Sequence, residues 1–395
     1  MASAKEYFRS RQNELYSREY QQNMQRHRKR VLTIAISSAV IIILACVAIY
    51  LYNIYRTYTD YVVVNEIEKN ENEVASYVLM NDLLVCYSMD GVSCYDKDYK
   101  QLWNQSYEMK KPMIDICGSY MAICDTGGTR CYILGEDGFK GEVDTQLPIK
   151  RLEVAAQGSV AVLLEDGDVN RINYYDRLGT LLAENKAPIE KSGFPLDISL
   201  SNDGLKMAVS YMSLETGSVS TKVAFYNFDT VGANEIDHLV SAQEYDGAIV
   251  PEIEFVNTTT AIAFGDSFFD IFQGSEKPVE RFKKKVKQEI QSVFYSESYF
   301  GMVLENEGND PYLLKVYDLT GKELLSFPFQ MQYNKIKIKD DNIYITNDTQ
   351  CMIYNLKGKL KFKGDFKENL TEVLPLKEDR MIIVVDQAIK TIQLK

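Results

Sequence analysis

Histidine is almost missing from this chain. Of 395 residues, only His27 and His238 carry an imidazole. That excludes a histidine-built metal centre and makes any Ser–His–Asp or Cys–His catalyst depend on one residue. Trp103 is the sole tryptophan. No Cys-x-x-Cys occurs, which argues against a thiol redox centre, and the Asp-x-Asp-x-Asp-Gly calcium spacing is absent. Neither a metal nor a cofactor is implied. Acids outnumber bases in the body. Residues 1–30 hold eight Lys/Arg against Glu6, Glu14 and Glu19, a balance of +5, so the total of −12 leaves −17 for residues 31–395. Such a body repels phosphate backbones, which excludes nucleic acid as a partner.

One long uncharged run is present. Val31–Tyr52 carries no charge, and the run continues to Tyr55 before Arg56. A helix needs roughly 20 apolar residues to cross a bilayer, whereas a cleaved signal has a core of only about 7–15. Residues 31–55 therefore predict an uncleaved signal anchor, with Tyr50, Tyr52, Tyr55 and Tyr58 as an aromatic belt. Arg26-His27-Arg28-Lys29-Arg30 abuts its N-terminal end. The positive-inside rule then predicts a single-pass plasma-membrane protein with a cytoplasmic tail (1–30), a linker (56–60) and an extracytoplasmic body (61–395). Ile43-Leu44-Ala45-Cys46 loosely matches a lipoprotein cleavage box, but the leader is long and apolar sequence would follow the cut. A Cys46 buried in the spanning helix is favoured. Phe8, Tyr16, Tyr20 and Met24 recur at multiples of four, as in a helical tail, whose charge sets topology or touches lipid or a cytosolic partner.

From Tyr61 onward, short alternating apolar runs separated by turn residues predict an all-β body. An aromatic-Asp/Asn step and a turn recur: Tyr95-Asp96, Tyr175-Asp176 with Gly179, Tyr317-Asp318 with Gly321, and Tyr354-Asn355 with Gly358. Asp90-Gly91, Gly127-Gly128 and Asp166-Gly167 mark hairpins upstream. Innermost strands are predicted near 75–80, 112–118, 148–155, 194–201, 249–256, 289–295, 333–338 and 371–376, at spacings of 36 to 55 residues. A period near 40–50 with four strands per unit predicts a β-propeller, with eight blades favoured and seven the alternative. The strand 61–67 is expected to pair with 388–394 and close the ring, and the short linker to hold the propeller close to the membrane.

Ser201-Asn202-Asp203-Gly204 followed by Met207-Ala208-Val209-Ser210 resembles the blade turn of Trp-Asp-repeat and TolB-like propellers, and the Asp-x-x-Gly-x-x-Leu-Trp flavour resembles quinoprotein-like ones. Over most of the chain the sequence resembles an uncharacterised bacterial family of single-pass, propeller-bearing proteins, a domain of unknown function. Gly193-Phe194-Pro195-Leu196, Ser201–Ser210, and Phe225-Tyr226-Asn227-Phe228 with Val231-Gly232 carry that likeness. It implies fold and topology and no activity. Regular Gly-His and Trp-Asp pairs are missing, so a quinone-stacking site is unsupported.

Candidate binding residues lie on the face of the hairpin turns: Asp90, Asp166, Glu215, Glu305, Glu307 and Asp310, joined by Asp125 and Asp168. Two extended loops there, Met212–Ser220 and Glu305–Pro311, are expected to frame a cation or sugar pocket. Acidic residues are also ordinary in solvated turns. No catalytic residue is singled out, and His238 reads as an ordinary loop or strand histidine. Hairpin arithmetic sets Cys124 opposite Cys131, and Cys86 opposite or diagonal to Cys94. Both are candidate disulfides in an exported domain, against buried thiols as the simpler reading. The lysine runs 283–287, 335–339 and 357–363 read as protected outer edges or as docking sites for an anionic envelope polymer. Asn104, Asn257, Asn347 and Asn369 form sequons.

The pattern predicts a non-enzymatic platform binding a protein or envelope component, in one variant a transmembrane sensor. The alternative is a glycan hydrolase or lyase using paired carboxylates on the propeller face.

Overall fold

Period-two alternation broken by Gly, Asp and Asn turns dictates short antiparallel strands. The computed structural model describes residues 4–69, 74–215, 217–377 and 379–395. Within them the strands form eight four-stranded sheets. Blades 1 to 7 span 76–106, 112–144, 149–188, 194–246, 252–285, 290–329 and 335–365. The eighth joins 370–394 to the strand Tyr61–Glu68. All eight innermost strands, from Ser76–Met80 to Leu370–Pro375, begin within three residues of the predicted positions.

The ring closes as the pattern predicts. Tyr61–Glu68 pairs antiparallel with the strand Ala388–Leu394, from Tyr61 opposite Leu394 to Glu68 opposite Ala388. The count is eight. Each apolar cluster draws on two neighbouring blades. Met80, Val85, Val92 and Cys94 of blade 1 meet Met121, Ile123 and Leu134 of blade 2. Stability is therefore shared between neighbours rather than held within a blade.

The recurring aromatic-Asp step has a structural cause. A register shift separates Cys94 from Tyr95, Tyr174 from Tyr175, Val316 from Tyr317 and Ile353 from Tyr354, where the third strand meets the fourth. The acid that follows closes the turn. Asp176 Oδ1 accepts from the amides of Leu178 (2.9 Å) and Thr180 (2.8 Å), and Asp318 Oδ1 from those of Thr320 and Lys322. Gly179 takes φ +86°, and a Cβ there would lie 2.2 Å from the Glu142 carbonyl oxygen of blade 2. Blade 1 lacks the glycine. Tyr99 adopts φ +61° instead, its ring buried and its hydroxyl 2.6 Å from Thr391 Oγ1 of blade 8.

Ahead of the ring, one helix runs from Ala4 to Tyr55. Within it Arg26–Tyr52 is long and apolar enough to cross a membrane. Thr33, Ser37 and Ser38 turn their hydroxyls back onto carbonyls three or four residues earlier, so these three hydroxyls need no water there.

Three expectations change. The linker 56–60 is shorter: Tyr58 is buried among Tyr344, Phe362, Phe366 and Leu370, and Thr59 and Asp60 bond Lys395 through the backbone. Met212–Ser220 is no loop, because the strands Lys206–Glu215 and Ser218–Asn227 stay paired out to Glu215 opposite Ser218. And the lysine run 335–339 is no outer edge, because it lies on the innermost strand expected at 333–338.

Candidate functional site

In antiparallel blades the turn between second and third strands always falls on the same face of the ring. That face carries the six predicted acids on blades 1, 3, 4 and 6. Asp90 borders a cleft of about 290 Å³ with Ser88, Tyr95, Asn104 and Gln105, walled on the other side by Glu68 and Lys69. Asp166 is engaged by Arg171, whose Nε and Nη2 lie 2.9 and 2.5 Å from its Oδ2 and whose Nη1 reaches Glu184. The Glu215 side chain lies outside the described residues. Glu305 and Glu307 are exposed, and Asp310 is half-buried on the loop between the strands Tyr299–Glu305 and Tyr312–Asp318. Chain proximity alone gathers these last three, and among the described residues no pair of these acids from different blades is joined by a bond.

A second acidic group lies where sequence reasoning placed none, on the innermost strands. Asp115, Glu153, Asp197, Glu252 and Glu254 come from blades 2, 3, 4 and 5. Asp115 Oδ2 accepts from the Val154 amide (2.7 Å) and Asp197 Oδ2 from the Ile253 amide (3.1 Å). Each carboxylate thus stitches one inner strand to the next. Ser199 Oγ accepts from the Phe255 amide (2.9 Å) in the same way. Register shifts lie just before Arg151, Asp197, Ser292 and Glu372. Such bulges re-aim a side chain, and each of these four reaches a neighbouring blade. Arg151 meets Asp197 (3.3 Å), Ser292 meets the Tyr333 hydroxyl (2.6 Å), and Glu372 binds Lys335 and Lys337.

Burial raises the proton affinity of the acidic group. It pushes Asp115 up to about 6 and Glu252 up to about 7, and lifts Asp197. Glu153 and Glu254 are pushed well above the ordinary range, by burial first and then by neighbouring carboxylates. Arg151 opposes the effect. This wall therefore changes charge near neutral pH. The signal was readable in principle: acids recur at the fourth or sixth position of four consecutive predicted inner strands. Among the described residues no three His, Cys, Asp or Glu converge as a metal-ligand set.

The cysteine pairs separate. Cys124 lies directly opposite Cys131, as the hairpin arithmetic predicts, with both buried and neither bonded to the other. Burial raises both thiols, Cys124 to about 12. Cys86 instead faces Ser93, while Cys94 faces Val85. Adjacent strand residues point to opposite faces. Cys86 therefore packs toward blade 8 and Cys94 toward blade 2, and a Cys86–Cys94 disulfide is excluded. His238 follows Asp237 in a turn where both take positive φ, with its ring 5.8 Å from Phe228 and its Nδ1 buried without a hydrogen-bond partner.

Solved propellers resemble this ring. BamB from Moraxella catarrhalis matches with a TM-score of 0.52 at 13% identity, over 85% of this chain and 98% of that one. Sqt1 from Saccharomyces cerevisiae matches at 0.55 and 11%, over 84% and 99%. AztD from Citrobacter koseri matches at 0.52 and 13%, over 75% and 87%. Such identities carry the fold alone. No curated protein matches. Residues 54–394 match the model of a family of unknown function, and the chain accordingly belongs to that family, DUF5711.

Proposed function

We propose that this chain is a single-pass plasma-membrane protein whose propeller stands outside the cell and binds a protein or envelope polymer without catalysis. One observation carries the reading. A closed eight-bladed ring follows a helix long enough to span a bilayer, and the acids on its hairpin face are spread over blades 1, 3, 4 and 6, with only Glu305, Glu307 and Asp310 sharing a loop. Dispersed acids suit contacts with a broad partner surface better than a reaction, which needs two carboxyls flanking one bond. The basic cluster Arg26–Arg30 ahead of the span supports a cytoplasmic tail. Fold likeness to BamB, Sqt1 and AztD suits a binding module and names no ligand.

Orientation is tested with a cysteine placed at Ser10 and another at Asp98, probed by an impermeant maleimide on intact cells. Labelling at position 98 alone is expected, and labelling at 10 alone inverts the topology. Binding is tested by crosslinking the intact protein in membranes and comparing it with the D90N/E305Q/E307Q/D310N variant. A partner captured by the native face and lost from the variant supports the platform. Glycan cleavage by the purified chain, abolished in that variant, supports the hydrolase instead.

A further inference from the structure

At the seam of the ring, blade 1 turns short side chains toward blade 8. Cys86 lies opposite Ser93 and Ser93 opposite Asn104, and the next row outward sets Gly91 opposite Ser106. By the period of two these residues share one face. With Ser88 they line the cleft of about 290 Å³ whose other wall is Ile67, Glu68 and Lys69. Blades 3 and 6 bury apolar side chains at the equivalent places. Counted from the aromatic-Asp step, Leu164 and Leu304 stand where blade 1 has Ser88, and Val162 and Met302 where it has Cys86. All four pack against the preceding blade. Blade 1 leaves that space open.

The cleft combines an apolar base with a polar rim. Tyr77, Leu84 and Ile389 are the buried members of its lining. Asp90, Asn104 and Ser106 are exposed and Ser93 is half-buried. Ser88 Oγ accepts from the Asp90 amide (3.2 Å), and Gln105 Nε2 donates to the Ser106 carbonyl (2.9 Å). Among the described residues, the side chains of Asp90, Ser93 and Asn104 hydrogen-bond no other group of the protein.

This lining selects a class of ligand. A purely apolar molecule would cut the rim groups off from water without replacing its hydrogen bonds. A phosphate would meet two carboxylates, Asp90 and Glu68, against one ammonium, and that ammonium, Lys69, lies over the Tyr77 ring at 5.8 Å. A sugar ring suits both halves. Its hydroxyls donate and accept, matching the carboxylate, amide and hydroxyl groups of the rim. Its C–H face is apolar, matching Tyr77, Leu84 and Ile389. The volume lies at the small end of ligand pockets, which run from about 300 to 1,000 Å³, and suits a single ring.

We propose that the seam cleft binds one neutral pyranose ring, as a residue of an envelope glycan or as a free sugar. The inference rests on the non-catalytic binding reading above and narrows its ligand to a neutral saccharide. The bound ring touches both blade 1 and the closure strand Tyr61–Glu68, so it stabilises the seam by mass action.

The test uses the full-length chain in phosphatidylcholine nanodiscs, free of sugar-based detergent. Glucose, galactose, mannose and N-acetylglucosamine, with cellotetraose and chitotetraose, are probed by saturation-transfer NMR and by the melting temperature of the chain. At least one saccharide should show transfer and raise the melting temperature. Ser88→Leu installs the side chain that blades 3 and 6 carry, and should abolish both effects while the unliganded chain melts as before. Asn104→Ala, on the exposed rim, should weaken binding about fivefold. No transfer from any of these saccharides overturns the proposal. Unchanged affinity in Asn104→Ala, or in a folded Ser88→Leu, overturns it too. Tighter binding of a tetraose assigns the cleft to a glycan chain and equal binding of the monosaccharide to a free sugar, and either upholds it. Cleavage of a bound tetraose refutes the non-catalytic reading and leaves the sugar site standing. Capture of a protein partner from membranes with no sugar bound does the reverse.

Discussion

Replacing Asp270 by Asn should stabilise the propeller at pH 8 and leave it nearly unchanged at pH 5. Asp270 lies on the third strand of blade 5 (Phe268–Gln273), fully buried. Its Oδ2 accepts from the Tyr245 hydroxyl of blade 4 at 2.8 Å, and its Oδ1 has no hydrogen-bond partner. Burial pushes its carboxyl up to about 7; Glu280 adds to the rise, while Tyr245 and Lys283 oppose it. The unfolded chain ionises near 3.9. Below that both states hold the proton and nothing is lost. Between about pH 4 and 7 the unfolded state releases it first, so stability falls as pH rises, and it levels off above 7. Each pH unit of offset is worth about 1.36 kcal/mol, giving a ceiling of about 4 kcal/mol. Asn keeps the size and the acceptor for Tyr245 and cannot ionise, so about 2–3 kcal/mol should return at pH 8. The inner-strand acids Asp115, Glu153, Asp197, Glu252 and Glu254 slope the same way in both proteins, which makes the difference between D270N and the native chain the informative quantity. Urea unfolding of the full chain in detergent, followed by circular dichroism and Trp103 emission at pH 5 and 8, measures it. Parallel pH profiles, or a variant less stable than native at pH 8, refute the reasoning.

Tyr58→Ala empties a site buried to 4% exposure and should cost about 3–5 kcal/mol by urea unfolding; a loss under about 1 kcal/mol means that residues 58–60 are a free linker. Gly179→Ala forces a side chain into positive φ against the Glu142 carbonyl, and should lower stability by at least about 2 kcal/mol in the same assay. Ile67→Pro removes a ladder donor opposite Ile389 and should open the seam, read as a lower melting temperature and earlier aggregation. Cys124 and Cys131 should resist a thiol reagent in the native protein and react fully in urea, since both are buried and hold their protons. No reaction even in urea without reductant identifies the disulfide that their hairpin register allows.

Much of the architecture was legible because it follows from local physics. The uncharged run ending at Tyr55, the turn acids Asp176 and Asp318, and the alternation along each inner strand act over a few residues. Their spacing counts blades without any knowledge of what touches what. The closure strand was legible too, since an unpaired edge at Ala388–Leu394 demands a partner and Tyr61–Glu68 was the strand left over. The candidate site was less so. Its six named acids followed from turn chemistry, yet nothing local tells whether Asp166 is available or already bonded to Arg171.

Sequence alone thus determined that a spanning-length helix precedes an eightfold β repeat, because hydrophobic length and strand period are written along the chain. Tertiary structure decided how the repeats meet. It turned Cys86 and Cys94 to opposite faces, and paired Lys335 and Lys337 of one inner strand with Glu372 of the next. It gathered Asp115, Glu153, Asp197, Glu252 and Glu254 from four blades, and locked Tyr58 beside Phe362. These contacts join residues tens to hundreds of positions apart. Only ring closure brings them within hydrogen-bond range, and only burial there changes their charge.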